Sequence, residues 1–386
     1  MGEDRKPRIL VTYVEAGHGH IVAAEAISAA LARRYGDECE LIERHILRES
    51  EQKHLRRFER FLVRQVYGYS KNPLIGRLEI AAMRLFGASS TLRLLHGTVF
   101  RRAVRLTVEE YRMLRPDVIV STHYFTALAA VEYRNRYAPE CRVAVYCPDN
   151  NVHGWWDNRV DVLYTNNIRA TVDAQHYGFP RERIVEVFYP TRPAVSESRG
   201  EREEYRERFG IPTDRFAVAV ADGIYARAKA RRVTKALLRT RIPLTVCLLA
   251  GKNERLAESF VRRRAPRNVK LIVFGFTPDA PQIYAACDLL ITKAGPNAVL
   301  DSVMMGTPVI VDYFATPIER ATKEIFVDEC GCGLYVRSAR RIRRTVERLA
   351  NNSVQMARLK AALGYFDKDK NGAGEIADDI ISRFKK

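Results

Sequence analysis

The chain alternates short, almost wholly apolar runs with longer segments in which apolar residues recur every three or four positions. The short runs are typical of strands buried on both faces, and the longer segments are typical of amphipathic helices. Such alternation favours parallel sheets joined by right-handed crossovers, so the pattern predicts two doubly wound α/β domains. The predicted strands lie at residues 8–14, 118–121 and 142–146 and, in the second half, at 216–220, 244–249, 269–274, 289–292 and 309–312.

An irregular, proline-marked stretch at residues 187–193 interrupts this pattern and is followed by a charge-rich helix predicted over residues 197–209. Irregular, proline-containing segments of this kind are typical of domain boundaries. We therefore expect an N-terminal domain over residues 1–190 and a C-terminal domain over residues 191–370. A last helix within residues 371–386 is expected to pack back on the N-terminal domain.

A glycine-containing turn, Gly17-His18-Gly19-His20, separates the first predicted strand from a helix predicted over about residues 20–34. Glycines let a ligand approach the backbone, and a helix N-terminus presents unpaired N–H groups and the positive end of its dipole. The dipole disfavours protonation of a nearby histidine, which suits a general base acting on a hydroxyl group. The alternative is a capped helix start with incidental histidines. The chain has no Gly-x-Gly-x-x-Gly motif, so a dinucleotide site of the usual kind is not supported.

A second candidate segment joins the strand at residues 289–292 to a helix predicted to begin at Pro296 or Asn297, through a tight turn at Gly295. The free N–H groups of this helix would form an anion cradle suited to a diphosphate. Asp301 follows one turn later and could accept hydrogen bonds from a ribose diol. The alternative is a well-capped helix in which the dipole merely favours Asp301.

The charge balance adds a prediction about partners. The 386 residues include 64 Lys and Arg against 46 Asp and Glu, a formal charge of +18. Residues 53–106 hold twelve of the cations and two of the acids, interleaved with bulky apolar residues, of which Phe58, Phe61 and Leu62 are expected to contribute weak binding to lipid. This pattern is typical of a segment that lies in a lipid headgroup layer, although amphipathic helices with a solvated basic face would show it too. Because the chain lacks an aromatic RNA-binding motif, we expect no nucleic-acid partner.

Neither a membrane span nor a metal site is expected. No uncharged stretch is long and apolar enough to cross a bilayer, and the N-terminus has no apolar signal core. The odd number of cysteines, seven, favours reduced thiols. Asp149 has no second carboxylate one or two residues away, so an Asp-x-Asp clamp is missing. The calcium-loop-like run at residues 367–372 lacks the bidentate glutamate that such a loop needs.

Several motifs together resemble glycosyltransferase family 28, and in particular the monogalactosyldiacylglycerol synthases and processive diacylglycerol glucosyltransferases. They are the run GHGHIVAAEAI at residues 17–27, Gly251-Lys252-Asn253 after a strand, Gly275-Phe276, and ITKAGP at residues 291–296. The resemblance covers nearly the whole chain. It implies the GT-B fold, in which two facing Rossmann-like domains enclose a cleft and the C-terminal domain holds most of the donor.

The resemblance also assigns roles to residues. It implies that His20 is the catalytic base acting on the acceptor hydroxyl. The implied donor-binding residues are Gly251, Lys252, Asn253, Phe276, Lys293, Ala294, Gly295, Pro296, Asn297, Asp301 and Glu319. The implied acceptor-side residues are Gly17, His18, Gly19, His123, Asp149, His153 and Trp155.

The sequence departs from the family pattern at three places. The loop at residues 221–229 has lost most of its glycines and gained basic residues, so side chains would make its phosphate contacts. Asp301 replaces a longer glutamate. The run at residues 317–323 replaces a Gln-Glu-x-x-Asn motif, in which Glu319 takes the acidic or the amide place.

The implied reaction is an inverting transfer of a hexose from a UDP-sugar to a membrane lipid hydroxyl, with diacylglycerol as the expected acceptor. No cofactor or metal is expected. The expected partners are the UDP-sugar, diacylglycerol and an anionic membrane surface, and the expected location is cytoplasmic, on the inner face of the cell membrane. Three alternatives remain open: a UDP-sugar 2-epimerase, a transferase to a non-lipid acceptor, and a membrane-binding homologue that has lost turnover.

Overall fold

The chain forms two α/β units, here taken from a computed structural model that describes residues 5–15, 18–71, 98, 100–198, 200–221, 227–314, 316–366 and 369–384. Unit 1 comprises Met1–Arg192 and Lys370–Lys386, and unit 2 comprises Pro193–Asp369. The chain therefore returns to unit 1 for its last helix.

Each unit is built on one parallel sheet, and within the described residues each sheet has six strands. The strands of unit 1 are β1 (Arg8–Thr12), β2 (Glu40–Arg44), β3 (Val118–Ser121), β4 (Arg142–Tyr146), β5 (Val162–Thr165) and β6 (Ile184–Glu186), in the order β2-β1-β3-β4-β5-β6. The strands of unit 2 are β7 (Phe216–Val220), β8 (Leu244–Leu249), β9 (Val269–Phe274), β10 (Leu289–Thr292), β11 (Val309–Val311) and β12 (Gly333–Tyr335), in the order β12-β11-β10-β7-β8-β9. The predicted α/β class with two doubly wound domains is confirmed.

Helices connect the strands of both units. In the first part of unit 1, up to Arg192, the helices are α1 (His18–Tyr35), α2 (Ile46–Glu49), α3 (Lys53–Lys71), α4 (Arg101–Leu114), α5 (Tyr124–Tyr137) and α6 (Ile168–His176). Those of unit 2 are α7 (Pro193–Ser196), α8 (Arg202–Arg208), α9 (Arg227–Leu237), α10 (Glu254–Val261), α11 (Ala280–Ala286), α12 (Pro296–Met304), α13 (Pro317–Lys323), α14 (Ala339–Ala350) and α15 (Ser353–Ala361). The last helix, α16 (Gly372–Phe384), belongs to unit 1.

The strand side chains of unit 1 alternate between two hydrophobic cores, one on each face of the sheet. Leu10 and Ile119 pack on one face with α3, α4 and α5, whereas Ile9 and Val120 pack on the other face with α1 and α16. Because successive residues of a strand point to opposite faces, a strand buried on both sides must be apolar throughout. This explains why these strands were visible in the sequence.

Hydrogen bonds as well as apolar contacts fix α16 to unit 1. Asp378 accepts from Arg34 Nη1 at 2.5 Å and from the Tyr35 hydroxyl at 2.8 Å, both on α1. At the start of α16, a Cβ on residue 372 would overlap the carbonyl oxygen of Phe188, so this close approach requires a glycine.

The structure corrects several boundaries. Helix α1 begins at His18 rather than near residue 20, so Gly19 lies in its first turn. The single helix predicted over residues 197–209 is instead two short helices, α7 and α8, because Glu201 and Glu204 form a capping box that starts α8 at Arg202. Strands β2, β5, β6 and β12 were not predicted.

Each sheet has a topological switch point, which is a pair of neighbouring strands whose following connections run towards opposite edges of the sheet. In unit 1 it lies between β1 and β3, and in unit 2 between β7 and β10. Ligands of open α/β sheets bind beyond the carboxyl ends of the strands at such points. Among the helices that the structure describes, none has the length and apolar character needed to cross a bilayer.

Candidate functional site

A cluster of three histidines and an aspartate lies beyond the carboxyl ends of neighbouring strands in unit 1. His20 lies in the first turn of α1, after β1, and His123 follows β3. Asp149 and His153 follow β4. The rings of His20 and His123 meet edge to face with their centroids 4.7 Å apart. The switch point of unit 1 therefore brings together the predicted catalytic base and three of the predicted acceptor-side residues. We call His20, His123 and His153 the histidine cluster.

The His20 ring has a defined tautomer. Its Nδ1 lies 2.5 Å from the carbonyl oxygen of Thr122, and because a carbonyl oxygen only accepts hydrogen bonds, Nδ1 carries the proton. Burial lowers the pKa of His20 to about 4 despite the opposing effect of the Thr122 hydrogen bond, so the ring is neutral at pH 7. The lone pair is consequently on Nε2, where a neutral imidazole can accept a proton.

His123 supports this arrangement from the protein interior. Its Nδ1 accepts the N–H of Phe125 at 3.2 Å and so caps α5, which places its proton on Nε2. That Nε2 is buried and has no hydrogen-bond partner among the described residues. Burial and the neighbouring imidazoles hold the pKa of His123 well below its usual value. The ring is therefore an uncharged neighbour of His20 with one unused N–H group.

Asp149 and His153 form a second titratable pair in the same place. The Nε2 of His153 lies 3.9 Å from a carboxyl oxygen of Asp149, and its Nδ1 accepts the N–H of Trp155 at 3.3 Å. Burial lowers the pKa of His153 to about 4 and raises the pKa of Asp149 to about 7. Asp149 is thus the group of this site that exchanges its proton near neutral pH.

Aromatic side chains flank the cluster. The ring centroid of Tyr124 lies 4.3 Å from that of His123, 6.1 Å from that of His153 and 5.7 Å from that of Trp155. Trp155 in turn lies 6.3 Å from Phe100, between centroids. The polar groups therefore sit beside an aromatic surface that a partly apolar ligand could contact.

Two lysines lie at the corresponding edge of the unit 2 sheet. The Nζ of Lys293, after β10, pairs with a carboxyl oxygen of Glu319 in the first turn of α13. The Nζ of Lys229, in α9, donates to the carbonyl oxygen of Asp312 at 2.6 Å and lies 3.6 Å from its carboxylate. The sequence placed Lys293 and Glu319 in the donor site, but the pairing of Lys229 with Asp312 could not be read from it.

The start of α12 supplies groups for an anion beside these lysines. Gly295 is the N-cap and Pro296 the first helical residue, as the sequence predicted. The side-chain amide nitrogen of Asn297 is buried and has no hydrogen-bond partner among the described residues. A helix N-terminus with an unused amide donor and nearby ammonium groups suits a diphosphate.

The other predicted donor residues fall in two environments. Gly251 has a φ of +55°, which glycine adopts without strain, and Asn253 caps α10. The ammonium of Lys252 lies 5.1 Å from the ring centroid of Phe276, a side chain that is 64 % exposed. Asp301 is buried, with 4 % of its surface exposed, and does not present an open carboxylate to a ribose. The donor roles of these residues stay predictions.

Part of the predicted acceptor loop lies outside the described residues. Gly17 lies outside the described residues, and the side chain of His18 is not among those described. Of the glycine turn, the structure therefore places Gly19 and His20.

A partly buried cluster that the sequence did not suggest lies near this loop. Single ligand atoms of Glu15, His45 and Glu59 lie within 4.8 Å of one another, a spacing that could hold a metal ion. However, His45 Nδ1 accepts the N–H of Arg48 at 3.3 Å, and its Nε2 lies 3.0 Å from the Glu59 carboxylate. The N–H of Glu15 also points at Nε2, at 3.2 Å, so both ring nitrogens of His45 already have protein hydrogen-bond partners. The geometry favours a hydrogen-bonded cluster over a metal site.

The basic segment of unit 1 presents a cationic surface, although the predicted segment lies only partly within the described residues. Residues 72–97 and 99 lie outside them. On α3 and α4, which pack together, exposed arginines face outward. We call them the first basic surface: Arg56, Arg57, Arg60, Arg64, Arg101, Arg102 and Arg105.

One expectation about this segment is wrong. Phe58 and Leu62 were expected to help bind lipid, but both are buried in the core of unit 1. They lie on the apolar side of an amphipathic helix, which faces its own domain. Phe61, at 42 % exposed, is the neighbouring aromatic residue that reaches solvent.

Comparison with known proteins shows which families the chain is similar to. Residues 226–324 match the glycosyltransferase family 28 C-terminal domain. The resemblance to glycosyltransferase family 28 is confirmed. The chain is 24 % identical over 360 residues to monogalactosyldiacylglycerol synthase 1 of Arabidopsis thaliana and 26 % identical over 360 residues to that of Spinacia oleracea. These alignments cover 89 % and 88 % of this chain but only 64 % and 65 % of the two relatives, which are both named as chloroplastic.

Three solved structures share the fold of this chain. MurG of Acinetobacter baumannii matches with a TM-score of 0.59 at 14 % identity, covering 97 % of this chain and 99 % of MurG. Anabaena HepE, solved in complex with UDP-glucose, matches with a TM-score of 0.56 at 12 % identity, and the glycosyltransferase SnogD of Streptomyces nogalater with 0.56 at 13 %. These two matches cover 98 % of this chain and 99 % and 100 % of the neighbours. The expected GT-B fold class is confirmed.

Proposed function

We propose that this protein is a UDP-sugar-dependent hexosyltransferase that transfers a hexose, with inversion, to the hydroxyl of diacylglycerol. The observation that carries the proposal is the tautomer of His20. The carbonyl of Thr122 holds the Nδ1 proton, so a neutral Nε2 lone pair lies at the switch point of unit 1. The family match and the similarity to two galactolipid synthases support the choice of donor class and acceptor class.

In the proposed reaction the acceptor hydroxyl loses its proton to Nε2 of His20 as its oxygen attacks the anomeric carbon. The new glycosidic bond forms as the bond from the sugar to the diphosphate breaks, and one displacement inverts the anomeric configuration. His123 positions His20 through the ring contact. A general base of this kind contributes roughly 10²–10⁴-fold to the rate.

Unit 2 would stabilise the leaving diphosphate. Lys229 and Lys293 supply positive charge, and the N-terminus of α12 supplies free N–H groups with the amide of Asn297. Preorganised donors aimed at developing negative charge are a large source of transition-state stabilisation. These groups do the work that a bound metal ion does in other diphosphate sites.

The first basic surface would hold unit 1 on an anionic membrane. In the part of the chain that the structure describes, Arg57, Arg60, Arg64, Arg101, Arg102 and Arg105 form no ion pair with a carboxylate, whereas Arg112, further along α4, pairs with Glu109. Each such cation near an anionic bilayer contributes about 1 kcal/mol, reduced by salt. Membrane contact also gives access to an acceptor that is insoluble in water.

The direct test is incubation of the purified protein with diacylglycerol-containing vesicles and, separately, UDP-glucose, UDP-galactose and UDP-N-acetylglucosamine. Lipid mass spectrometry should detect a hexosyl-diacylglycerol with at least one donor. Vesicles that lack diacylglycerol provide the control and should give no glycolipid.

The other functions predict different products in this assay. A 2-epimerase would convert the UDP-sugar without any lipid, and a transferase to another acceptor would leave diacylglycerol unchanged. Vesicle binding without consumption of any UDP-sugar would identify a homologue without turnover. Each of these results would contradict the proposal.

A further inference from the structure

Unit 2 carries a second cationic surface, on helices α9 and α14, far along the chain from the basic segment at residues 53–106. The two helices pack together, and Arg343 on α14 donates to the carbonyl oxygen of Arg239 at 2.9 Å. Their outward positions are basic and, except for the half-buried Lys235, exposed. We call this set the second basic surface: Arg231, Arg232, Lys235, Arg239, Arg340, Arg341, Arg344 and Arg348.

The apolar residues of both helices are already used by the core of unit 2. Val233 and Leu237 on α9 and Ile342, Val346 and Leu349 on α14 are buried against the sheet. The outward face therefore offers charge without an apolar group that could insert into a partner.

Acidic residues do not neutralise this surface. Residues 227–241 contain no acid, and residues 337–350 contain one, Glu347. Glu347 is engaged by Arg343, at 3.4 Å, and by the hydroxyl of Thr240, at 2.9 Å. Within the described residues, none of the eight cations forms an ion pair. Close cations of one sign repel one another, so the surface costs folding free energy in the absence of an anionic partner.

We propose that the second basic surface binds an anionic lipid bilayer, so that unit 2 is attached to the membrane independently of unit 1. A dense layer of exposed cations is complementary in charge to a lipid headgroup layer, and the attraction is screened by salt. Neither helix contains an aromatic residue, so the stacking platforms typical of single-stranded nucleic-acid sites are missing from them. The choice of a bilayer rests on the lipid acceptor of the proposed function.

The test measures co-sedimentation with phosphatidylcholine vesicles that contain or lack phosphatidylglycerol, without diacylglycerol or UDP-sugar. The main variant combines Arg231→Gln, Arg232→Gln, Arg340→Gln and Arg344→Gln. We expect it to bind anionic vesicles at least about tenfold more weakly than the wild type, because four surface charges are lost. Lysine substitutions at the same four positions keep the charge and should restore binding.

A matched control removes the same charge elsewhere in unit 2, at the exposed residues Arg262, Arg263, Arg264 and Arg267. It should bind within about twofold of the wild type. Equal loss in this control would show a response to net charge alone and would overturn the proposal. Unchanged vesicle binding of the main variant would also overturn the proposal. So would a loss of binding that occurs only when Arg56, Arg57, Arg60 and Arg64 on α3 are replaced by Gln.

Two further measurements separate the remaining explanations. Thermal unfolding shows whether each variant is folded, and a second variant at Arg239, Arg341 and Arg348 should lose binding through different positions. Tighter binding of the wild type to duplex DNA than to anionic vesicles would assign the surface to nucleic acid and contradict the proposal. Because the vesicles contain no substrate, membrane binding can be detected even if the transferase assay shows no product. Likewise, glycolipid formation can be detected even if the second basic surface does not bind vesicles.

Discussion

Burial decides which groups of the unit 1 site can carry a proton. It lowers the pKa of His20 and of His153 to about 4, so both rings are neutral throughout the physiological range. It raises the pKa of Asp149 to about 7, far above its usual value near 4. The same environment therefore produces two neutral bases and one carboxyl group that is partly protonated at neutral pH.

Asp149 should make the stability of the protein fall as pH rises from about 4 to 7. In that range the folded protein keeps the Asp149 proton and the unfolded chain does not, so the contribution of this residue decreases by about 1.4 kcal/mol per pH unit. Asp149→Asn removes the titration. Its free energy of unfolding, measured in urea, should exceed that of the wild type by more at pH 8 than at pH 4.5. An equal difference at both pH values would show that burial does not raise the pKa of this carboxyl group.

Residue identity revealed the candidate base but not its environment. His20 was predicted from a glycine turn at a helix start, which is a local pattern visible in the sequence. Its partner Thr122 and its neighbour His123 lie about a hundred residues later, and only the pairing of β1 with β3 brings them to it. The raised pKa of Asp149 likewise depends on burial, which no local pattern encodes.

At the scale of elements, strands buried on both faces were the easiest to predict. β3, β4, β7, β8, β9 and β10 have the predicted limits because most of their residues are apolar, the exposed Arg142 of β4 and Lys270 of β9 being exceptions. β2 was missed because it is an edge strand with the sequence ELIER, whose charged residues hide the strand period. β6 and β12 are three residues long and give no detectable period.

The packing of elements also determines which side chains the donor site can present to a ligand. The start of α12 was predicted from Gly295 and Pro296, but the lysine partners and the buried state of Asp301 depend on how α9, α12 and α13 pack. The amphipathic pattern of α3 was visible in the sequence, whereas the side facing the core was not. The expected lipid contacts of Phe58 and Leu62 were wrong for that reason.

Lys293→Met should weaken UDP binding by about 10–100-fold, because a hydrogen bond to a charged group contributes roughly 1.5–3 kcal/mol. Isothermal calorimetry with UDP measures the effect. Lys270→Met, an exposed residue on β9, is the matched control and should bind like the wild type. Glu319→Gln should weaken binding less than Lys293→Met, since it leaves the ammonium in place. UDP affinity unchanged by Lys293→Met would remove this lysine from the donor site.

At the scale of the whole molecule, positive charge is concentrated on helical surfaces of both units. One of them is visible in the sequence, because residues 53–106 are basic over a continuous stretch. The other is divided between α9 and α14, about a hundred residues apart, and becomes one surface only when the helices pack. Within the described residues, part of the formal charge of +18 is therefore concentrated on these two surfaces, which composition alone does not reveal.

The arrangement of charges also predicts how the proposed transfer reaction responds to removal of metal ions. Lys229, Lys293 and the α12 N-terminus would neutralise the diphosphate, and both ring nitrogens of His45 already have hydrogen-bond partners in the protein. Transfer activity should therefore be unchanged after dialysis against excess EDTA. The control is the same assay with added Mg²⁺ or Mn²⁺. Strict dependence of the rate on either ion would contradict this account of the leaving group.

The most direct test of the central claim, that Nε2 of His20 accepts the acceptor proton, is the rate of hexosyl-diacylglycerol formation by His20→Ala, measured by lipid mass spectrometry. The account predicts a rate at least about a hundredfold below that of the wild type. UDP affinity and vesicle binding should remain unchanged, because unit 2 holds the proposed donor groups and neither basic surface includes His20. A folded His20→Ala variant that forms the glycolipid at the wild-type rate would contradict the account.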